Sequence, residues 1–134
     1  MAAPANELQV ITFAKDLSSY VMQATLKSPK AFRFTYVSKL QDTALAALEN
    51  LYMANNVFIG QNIQRPGAAN ITKRLEHQRI AMAKLKLLAY LAMAAFEQKV
   101  ITAKQFEQIS LKSVNCQNLL GGWMNGDRKR FKCE

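Results

Sequence analysis

The clearest helix in the sequence is ITKRLEHQRIAMAKLKLLAYLAMAAF, residues 71–96. One apolar stripe repeats along it at helical spacing, which is typical of a core-facing surface. The stripe consists of Ile71, Leu75, Met82, Leu85, Ala89, Ala92 and Phe96. No glycine or proline occurs from residue 68 to residue 120, and the turn dipeptides of β-hairpins are missing. The pattern predicts a long helix, capped by Asn70 or Thr72 and reaching about Gln98.

Two helices are predicted before this stretch. The first covers about residues 8–26, because apolar residues repeat there at spacings of three and four: Val10, Ala14, Leu17, Val21 and Ala24. Ser28-Pro29 then has the form of an N-cap followed by a proline at the first helical position. A second helix should continue from there to about Asn56. Arg33 and Phe34 would place a cation and an aromatic at its first turn, one reaching outward and the other packing inward.

A fourth helix is predicted after residue 99. Thr102 and Gln105 have the spacing of a capping box, in which each side chain accepts a hydrogen bond from the other's backbone N–H. The seam that follows is Phe106, Ile109, Ser113, Cys116, Leu120 and Trp123. Gly121-Gly122 is expected to interrupt this helix near its end and to let Trp123 and the facing helix approach closely.

Four helices with one core stripe each bury those stripes best as an antiparallel up-down four-helix bundle. The expected protein is therefore all-α, with residues 1–134 forming one domain. Residues 57–69 should be its one substantial loop. The ends, at about residues 1–7 and 127–134, are expected to be frayed.

The charge balance provides the first indication of function. Eighteen Lys and Arg against nine Asp and Glu give a formal net charge of +9 on a chain of 15.1 kDa. Such a charge attracts polyanions, although a basic protein that merely needs solubility would show the same total. The excess is uneven, because ten of the basic residues fall within residues 65–86 and 128–132. This clustering favours a binding surface.

Three basic clusters are candidates for contact with nucleic-acid phosphates, which favour grouped Lys and Arg. One surrounds the start of the second helix, and two lie on different sides of the third, although a basic helix is also often just a solvated face. The candidate residues are Lys27, Lys30, Arg33, Lys73, Arg74, His77, Arg79, Lys84 and Lys86. Whether the tail residues Arg128, Lys129, Arg130 and Lys132 take part stays open.

The third helix carries a second apolar stripe, formed by Ile80, Leu87, Leu91 and Ala94. A helix at the edge of a monomeric bundle needs only one such stripe. The second stripe should therefore face either another helix of the same chain or a neighbouring subunit of a homo-oligomer. The periodicity favours neither alternative over the other.

No arrangement of residues typical of catalysis is evident. His77 is the only histidine, and Asp42 and Glu49 are better explained as partners of basic neighbours than as a catalytic pair. Cys116 lies on a core seam, where a small apolar role is expected. Gly121-Gly122 has no strand before it and no Lys-Ser/Thr after it, so it is not a nucleotide cradle. We expect a protein that is not an enzyme and uses neither a metal nor another cofactor.

Localisation follows from two further observations. The longest uncharged stretch, residues 87–96, has ten residues, whereas a bilayer requires roughly 20. The two cysteines, Cys116 and Cys133, have neither metal-binding nor redox spacing. A cytoplasmic protein without membrane contact is expected.

Three short stretches, taken together and in order, resemble a known family. They are Ser28-Pro29-Lys30 leading into Arg33-Phe34-Thr35, Ala54-Asn55 at the end of the second helix, and Leu119-Leu120-Gly121-Gly122-Trp123 near the end of the last. The family is Avd, the four-helix-bundle accessory proteins of diversity-generating retroelements. The bundles encoded by intervening sequences of bacterial large-subunit ribosomal RNA genes share this pattern.

The resemblance implies a basic homopentamer that binds a reverse transcriptase and its template RNA, and possibly DNA, to support mutagenic reverse transcription. It implies no catalytic activity for the bundle itself. The ribosomal relatives imply an alternative, a scaffold or adaptor that binds an acidic protein partner or ribosomal RNA. No family motif places the nucleic-acid-binding residues, so these are taken from the charge clusters alone.

Overall fold

The computed structural model describes residues 5–57 and 68–131. The described chain is helical and contains no strand, which confirms the all-α class. Its main helices are α1 (Ala5–Ala24), α2 (Ser38–Asn56), α3 (Ala68–Glu97) and α4 (Ala103–Phe131). Two short segments precede α2, a 3₁₀ turn at Lys30–Phe32 and a π-helical turn at Arg33–Val37. The predicted loop at residues 57–69 falls largely outside the described residues.

The four helices bury a single connected apolar core to which each of them contributes. Helix α1 packs against α2 and α4, and α3 packs against the same two helices. The predicted seams of α1 and α4 are buried apart from the half-buried Phe106. The predicted core stripe of α3 was only partly correct, because Met82 and Ala89 are half-buried and Phe96 is 38% exposed, whereas the stripe's other members are buried. The periodicity of the sequence therefore identified most of the inward faces correctly.

Side-chain hydrogen bonds between elements show which parts of the fold lie next to each other. The Ser113 hydroxyl donates to the Leu85 carbonyl at 2.7 Å, near the middle of α3 and α4. Near the ends of these helices, Arg74 reaches Asp127 at 2.7 Å. The Ser28 hydroxyl donates to the Val100 carbonyl at 2.8 Å, which brings the α1–α2 and α3–α4 connections together.

The predicted start of the second helix was wrong. Pro29 has ψ 137, and no side chain caps the turn that follows. The Ser28 hydroxyl donates to the Val100 carbonyl in the connection between α3 and α4, so it does not cap the turn that follows Pro29. The aromatic that packs inward is Phe32, whose ring meets Tyr36 edge-on at 5.9 Å, whereas Phe34 is 86% exposed. A contact distant in sequence has overridden the local helix-start signal.

The capping box at the start of α4 is confirmed. The Thr102 N–H donates to Gln105 Oε1 at 2.9 Å, and the Gln105 N–H donates to Thr102 Oγ1 at 3.1 Å. The predicted caps of α3 were wrong, because Asn70 and Thr72 lie inside a helix that includes Ala68.

The predicted end of the last helix was also wrong. Helix α4 continues through Gly121-Gly122 as far as Phe131, so residues 127–131 are not a frayed tail. Asp127, which the charge pattern assigned to the tail, is only 4% exposed. At the other end, residues 5–7 belong to α1. Residues 1–4 and 132–134 lie outside the described part of the chain.

Gly121 does not serve the close helix approach that was expected of it, since a Cβ built there would meet nothing within 4 Å. Gly121→Ala should therefore raise the free energy of unfolding by about 0.5–1 kcal/mol, because alanine loses less backbone entropy in a helix. Urea unfolding would measure the change, with Gly126→Ala, equally unobstructed, as a parallel variant. A clear loss of stability in Gly121→Ala alone would show that another element does approach this position.

Candidate nucleic-acid interface

Basic side chains cover much of the solvent-facing side of α3. Lys73, Arg79 and Lys86 are exposed, and Lys84 is half-buried. None of the four forms an ion pair with a carboxylate of the described residues. Helical spacing places Lys73 and Lys84 on the side of α3 towards α2, and it places Arg79 and Lys86 on a different side of the helix. These cations remain available to an external anion.

His77 is held within the chain. Its Nδ1 lies 2.9 Å from the Asn50 side-chain oxygen, so a proton on Nδ1 is donated to α2. The ring is half-buried between the two helices. His77 thus links α2 and α3, and with the proton on Nδ1 the neutral ring has none on Nε2 to donate to a phosphate.

Arg74 is the one candidate that the structure removes from the surface. It is 6% exposed, and its Nε and Nη2 donate to Asp127 at 2.7 and 3.1 Å. Its guanidinium also lies 5.0 Å from the centre of the Trp123 ring, and Gln78 Nε2 donates to Asp127 at 2.9 Å. Arg74 is therefore a core residue that joins α3 to α4, and its prediction as a nucleic-acid contact was wrong.

The signal for this buried pair was present in the sequence. Arg74 lies next to Leu75 and three residues after Ile71, so its helical angle falls on the core face. Asp127 follows Trp123 by four residues on the seam of α4. Opposite charges on two facing seams indicate an internal ion pair, whereas charge alone suggests a surface cation.

Lys27 and Lys30 are exposed at the end of the bundle, and Arg33 is exposed on the π-helical turn. Lys27 lines a cleft of about 610 Å³ that also includes Lys99. Lys99 is not a candidate from the sequence, because its neighbours in the cleft come from another connection. The Ser28–Val100 hydrogen bond brings the two connections together.

The basic residues after Asp127 lie beside the first turns of α3, because Asp127 ties the end of α4 to Arg74. Lys129 is exposed, and Arg130 Nη2 lies 3.6 Å from Asp127. Arg128 is half-buried, and its Nε has no hydrogen-bond partner among the described residues. The second basic window of the sequence therefore lies near Lys73 and Arg74 of the first, at one end of the bundle. Lys132 lies outside the described residues.

The second apolar stripe of α3 is partly covered within the chain. Leu87, Leu91 and Ala94 are half-buried, and Ile80 is 36% exposed. Leu91 packs against the core and borders a groove with residues 34–36 and Lys39. Packing within the chain accounts for part of the stripe, and a role in self-association stays a prediction.

Cys116 is poorly placed to act as a catalytic nucleophile. Burial raises the pKa of its thiol to about 11, with a further increase from Asp16 and an opposing effect of Lys112. The side chain is fully buried, so the thiol is protonated at neutral pH and has no access to a substrate. Among the described residues, no three potential ligands are grouped to hold a metal ion.

No described helix combines the length and apolar character that crossing a membrane requires.

No protein-family model and no curated protein matches this chain. The resemblance to the Avd family therefore rests on the helix-end motifs alone. Of those motifs, Ser28 and Gly121 have roles in the fold that differ from the expected ones.

Proposed function

We propose that this chain is a non-catalytic nucleic-acid-binding subunit whose exposed cations hold RNA phosphates. One observation carries the proposal: six of the nine candidate residues are exposed and have no ion-pair partner among the described carboxylates. They are Lys27, Lys30, Arg33, Lys73, Arg79 and Lys86. Each phosphate that they neutralise releases condensed counterions, which drives binding without reading the base sequence.

The partner in this proposal is a reverse transcriptase with its template RNA, and possibly DNA, as the resemblance to the Avd family implies. The proposed compartment is the cytoplasm, as the cysteine spacing suggests. The chain would act as an antiparallel up-down bundle, an arrangement that the Arg74–Asp127 and Leu85–Ser113 contacts support. A homopentamer would repeat each weak phosphate contact around a ring and raise the avidity of the whole assembly. The exposed edge of the Ile80 stripe suits the contact between subunits.

A second candidate function is an adaptor that binds an acidic protein. The observation in its favour is the mixture of apolar and basic side chains on α3, where the exposed Tyr90 and Met93 accompany Arg79 and Lys86. Tyr, Met and Arg are enriched at protein interfaces.

Salt dependence is the direct test of the proposed function. With six phosphate contacts on a single strand, the association constant for RNA should fall roughly three orders of magnitude between 50 and 300 mM salt. Fluorescence anisotropy of a labelled RNA would give the constants, and light scattering of the chain co-expressed with its neighbouring genes would give the assembly mass. Salt-independent binding would contradict the phosphate mechanism. A monomer that retains neither RNA nor polymerase would contradict the assembly.

A further inference from the structure

The cleft at the end of the bundle combines charge with an apolar floor. It is bordered by Lys27 and Ser28 from the first connection and by Lys99 and Thr102 from the second. Val100 and Ile101 are buried beneath it, each 4% exposed. Its volume of about 610 Å³ is large enough for a nucleotide.

Lys27 and Lys99 are the charged side chains that line this cleft. The Ser28 hydroxyl is used by the Val100 carbonyl, and Thr102 and Gln105 bond to each other in the capping box. None of the residues that line the described cleft is acidic. The cleft is therefore suited to an anion held by two ammonium groups.

An aromatic ring lies in the same cleft. Phe96 is 38% exposed although it stacks on Phe106 of α4, with ring centres 5.5 Å apart and an angle of 6° between the planes. Proteins that bind single strands without base preference combine a basic groove with aromatic rings on which bases stack. Phe96 and the two lysines form this combination within one cleft.

The backbone places Lys99 against a steric preference. Its φ of 62 lies in the left-handed region, at the position after a helix where glycine is favoured. The Val100 N–H donates to the Ala95 carbonyl at 2.8 Å, and the Lys99 N–H donates to the Phe96 carbonyl at 2.9 Å, which closes α3. Glycine would close the helix with less strain, but it would remove one of the two cations of the cleft.

We propose that this cleft binds one unstacked nucleotide of a single-stranded RNA, with its base against Phe96 and an adjacent phosphate between Lys27 and Lys99. The inference rests on the proposed function and locates part of it at a specific subsite. Because every base can stack on an aromatic ring, the subsite accepts any base. The affinities for hexauridylate and hexaadenylate should differ only because uracil and adenine stack with different strength.

The test compares binding of fluorescein-labelled hexauridylate by the full chain and its variants. Lys27→Gln/Lys99→Gln should weaken binding roughly 20-fold at 0.1 M salt and reduce the salt slope by about 1.4, the loss of two single-strand phosphate contacts. The matched control, Lys15→Gln/Lys39→Gln, removes two exposed lysines outside the cleft. This control should weaken hexauridylate binding markedly less, because it changes only the net charge of the chain.

Two further variants separate stacking from charge and function from stability. Phe96→Leu should weaken binding roughly fivefold or more with the salt slope unchanged. Lys99→Gly should raise the folded-to-unfolded ratio roughly fivefold in urea, because the left-handed strain is relieved, yet weaken RNA binding. A photoreactive 5-iodouridine in the RNA should cross-link to the peptide that contains Phe96.

The outcomes distinguish this inference from the function on which it rests. If the wild type binds RNA and the Lys27/Lys99 variant matches its control, the cleft is not a subsite, although the chain remains an RNA-binding protein. If the wild type binds no RNA, the proposed function itself fails. Equal binding of a hexaglutamate peptide would overturn the assignment of the cleft to a nucleotide and favour an acidic protein partner.

Discussion

Replacement of Asp127 by alanine is expected to lower the free energy of unfolding by about 3–5 kcal/mol, the cost of leaving a buried cation without its partner. Asp127 accepts hydrogen bonds from Arg74 and Gln78, and both of these side chains are buried. In the variant the Arg74 guanidinium would lose the carboxylate and stay buried at the α3–α4 contact, beside the Trp123 ring. Urea unfolding followed by circular dichroism would measure the loss.

Asp16→Ala provides the matched control for this prediction. Asp16 also forms an ion pair between helices, with Lys112 at 2.6 Å, but its side chain is 63% exposed. Exposed pairs contribute at most about 1 kcal/mol, so this variant should remain close to the wild type. The double variant Arg74→Met/Asp127→Ala should recover much of the stability, because no buried charge is left. If Asp127→Ala costs no more than Asp16→Ala, the buried pair does not hold α4 to α3.

The second large effect is expected on RNA binding. Replacing Lys73, Arg79 and Lys86 by glutamine should weaken binding roughly 100-fold at 0.1 M salt and reduce the salt slope by about 2, which is the contribution of three single-strand phosphate contacts. All three side chains are exposed and unpaired among the described residues, so the stability should change by no more than about 0.5 kcal/mol. Anisotropy titrations at several salt concentrations would provide both quantities.

A control with the same change in charge is needed, because any loss of positive charge weakens attraction to RNA. Lys15, Lys39 and Lys104 are exposed lysines on α1, α2 and α4. Their triple glutamine variant should bind RNA with a much smaller loss. Equal losses in the two triple variants would mean that the net charge of +9 attracts RNA without a specific surface on α3.

The buried pair also changes how the charge of the chain should be counted. Arg74 and Asp127 neutralise each other inside the protein, so neither contributes a free charge to the surface. The proposed interface is formed by the cations that lack such partners, among them Lys73 and Lys129. A cluster of basic residues in a sequence therefore suggests too large a binding surface when one of those residues lies on a core seam.

Local rules predicted the helices well where the required contacts lie within one helix. The seam from Val10 to Ala24 is buried as expected, because apolar spacing of three and four residues forms one face of any α-helix. The capping box of Thr102 and Gln105 formed because both partners lie in the same turn. Gly121-Gly122 failed as a stop signal, since the α4 segments on both sides of it pack on the core through Leu120 and Trp123.

The candidate site was only partly predictable for the same reason. Lys27 and Lys73 are exposed as expected. The burial of Arg74 and the place of Lys99 in the cleft depend on which residues other elements bring near them. Sequence distance hides such partners, since 53 positions separate Arg74 from Asp127, and 72 separate Ser28 from Val100.

The sequence by itself determined the all-helical class, most of the inward faces of the helices and the excess of positive charge, because these follow from composition and from periodicity within single helices. The tertiary structure alone decided which cations are free. It placed Asp127 against Arg74 and removed that pair from the surface, and it joined Lys27 and Lys99 at one cleft. The free energy of a charged side chain depends on its neighbours in space, and only the packing of the four helices sets those neighbours.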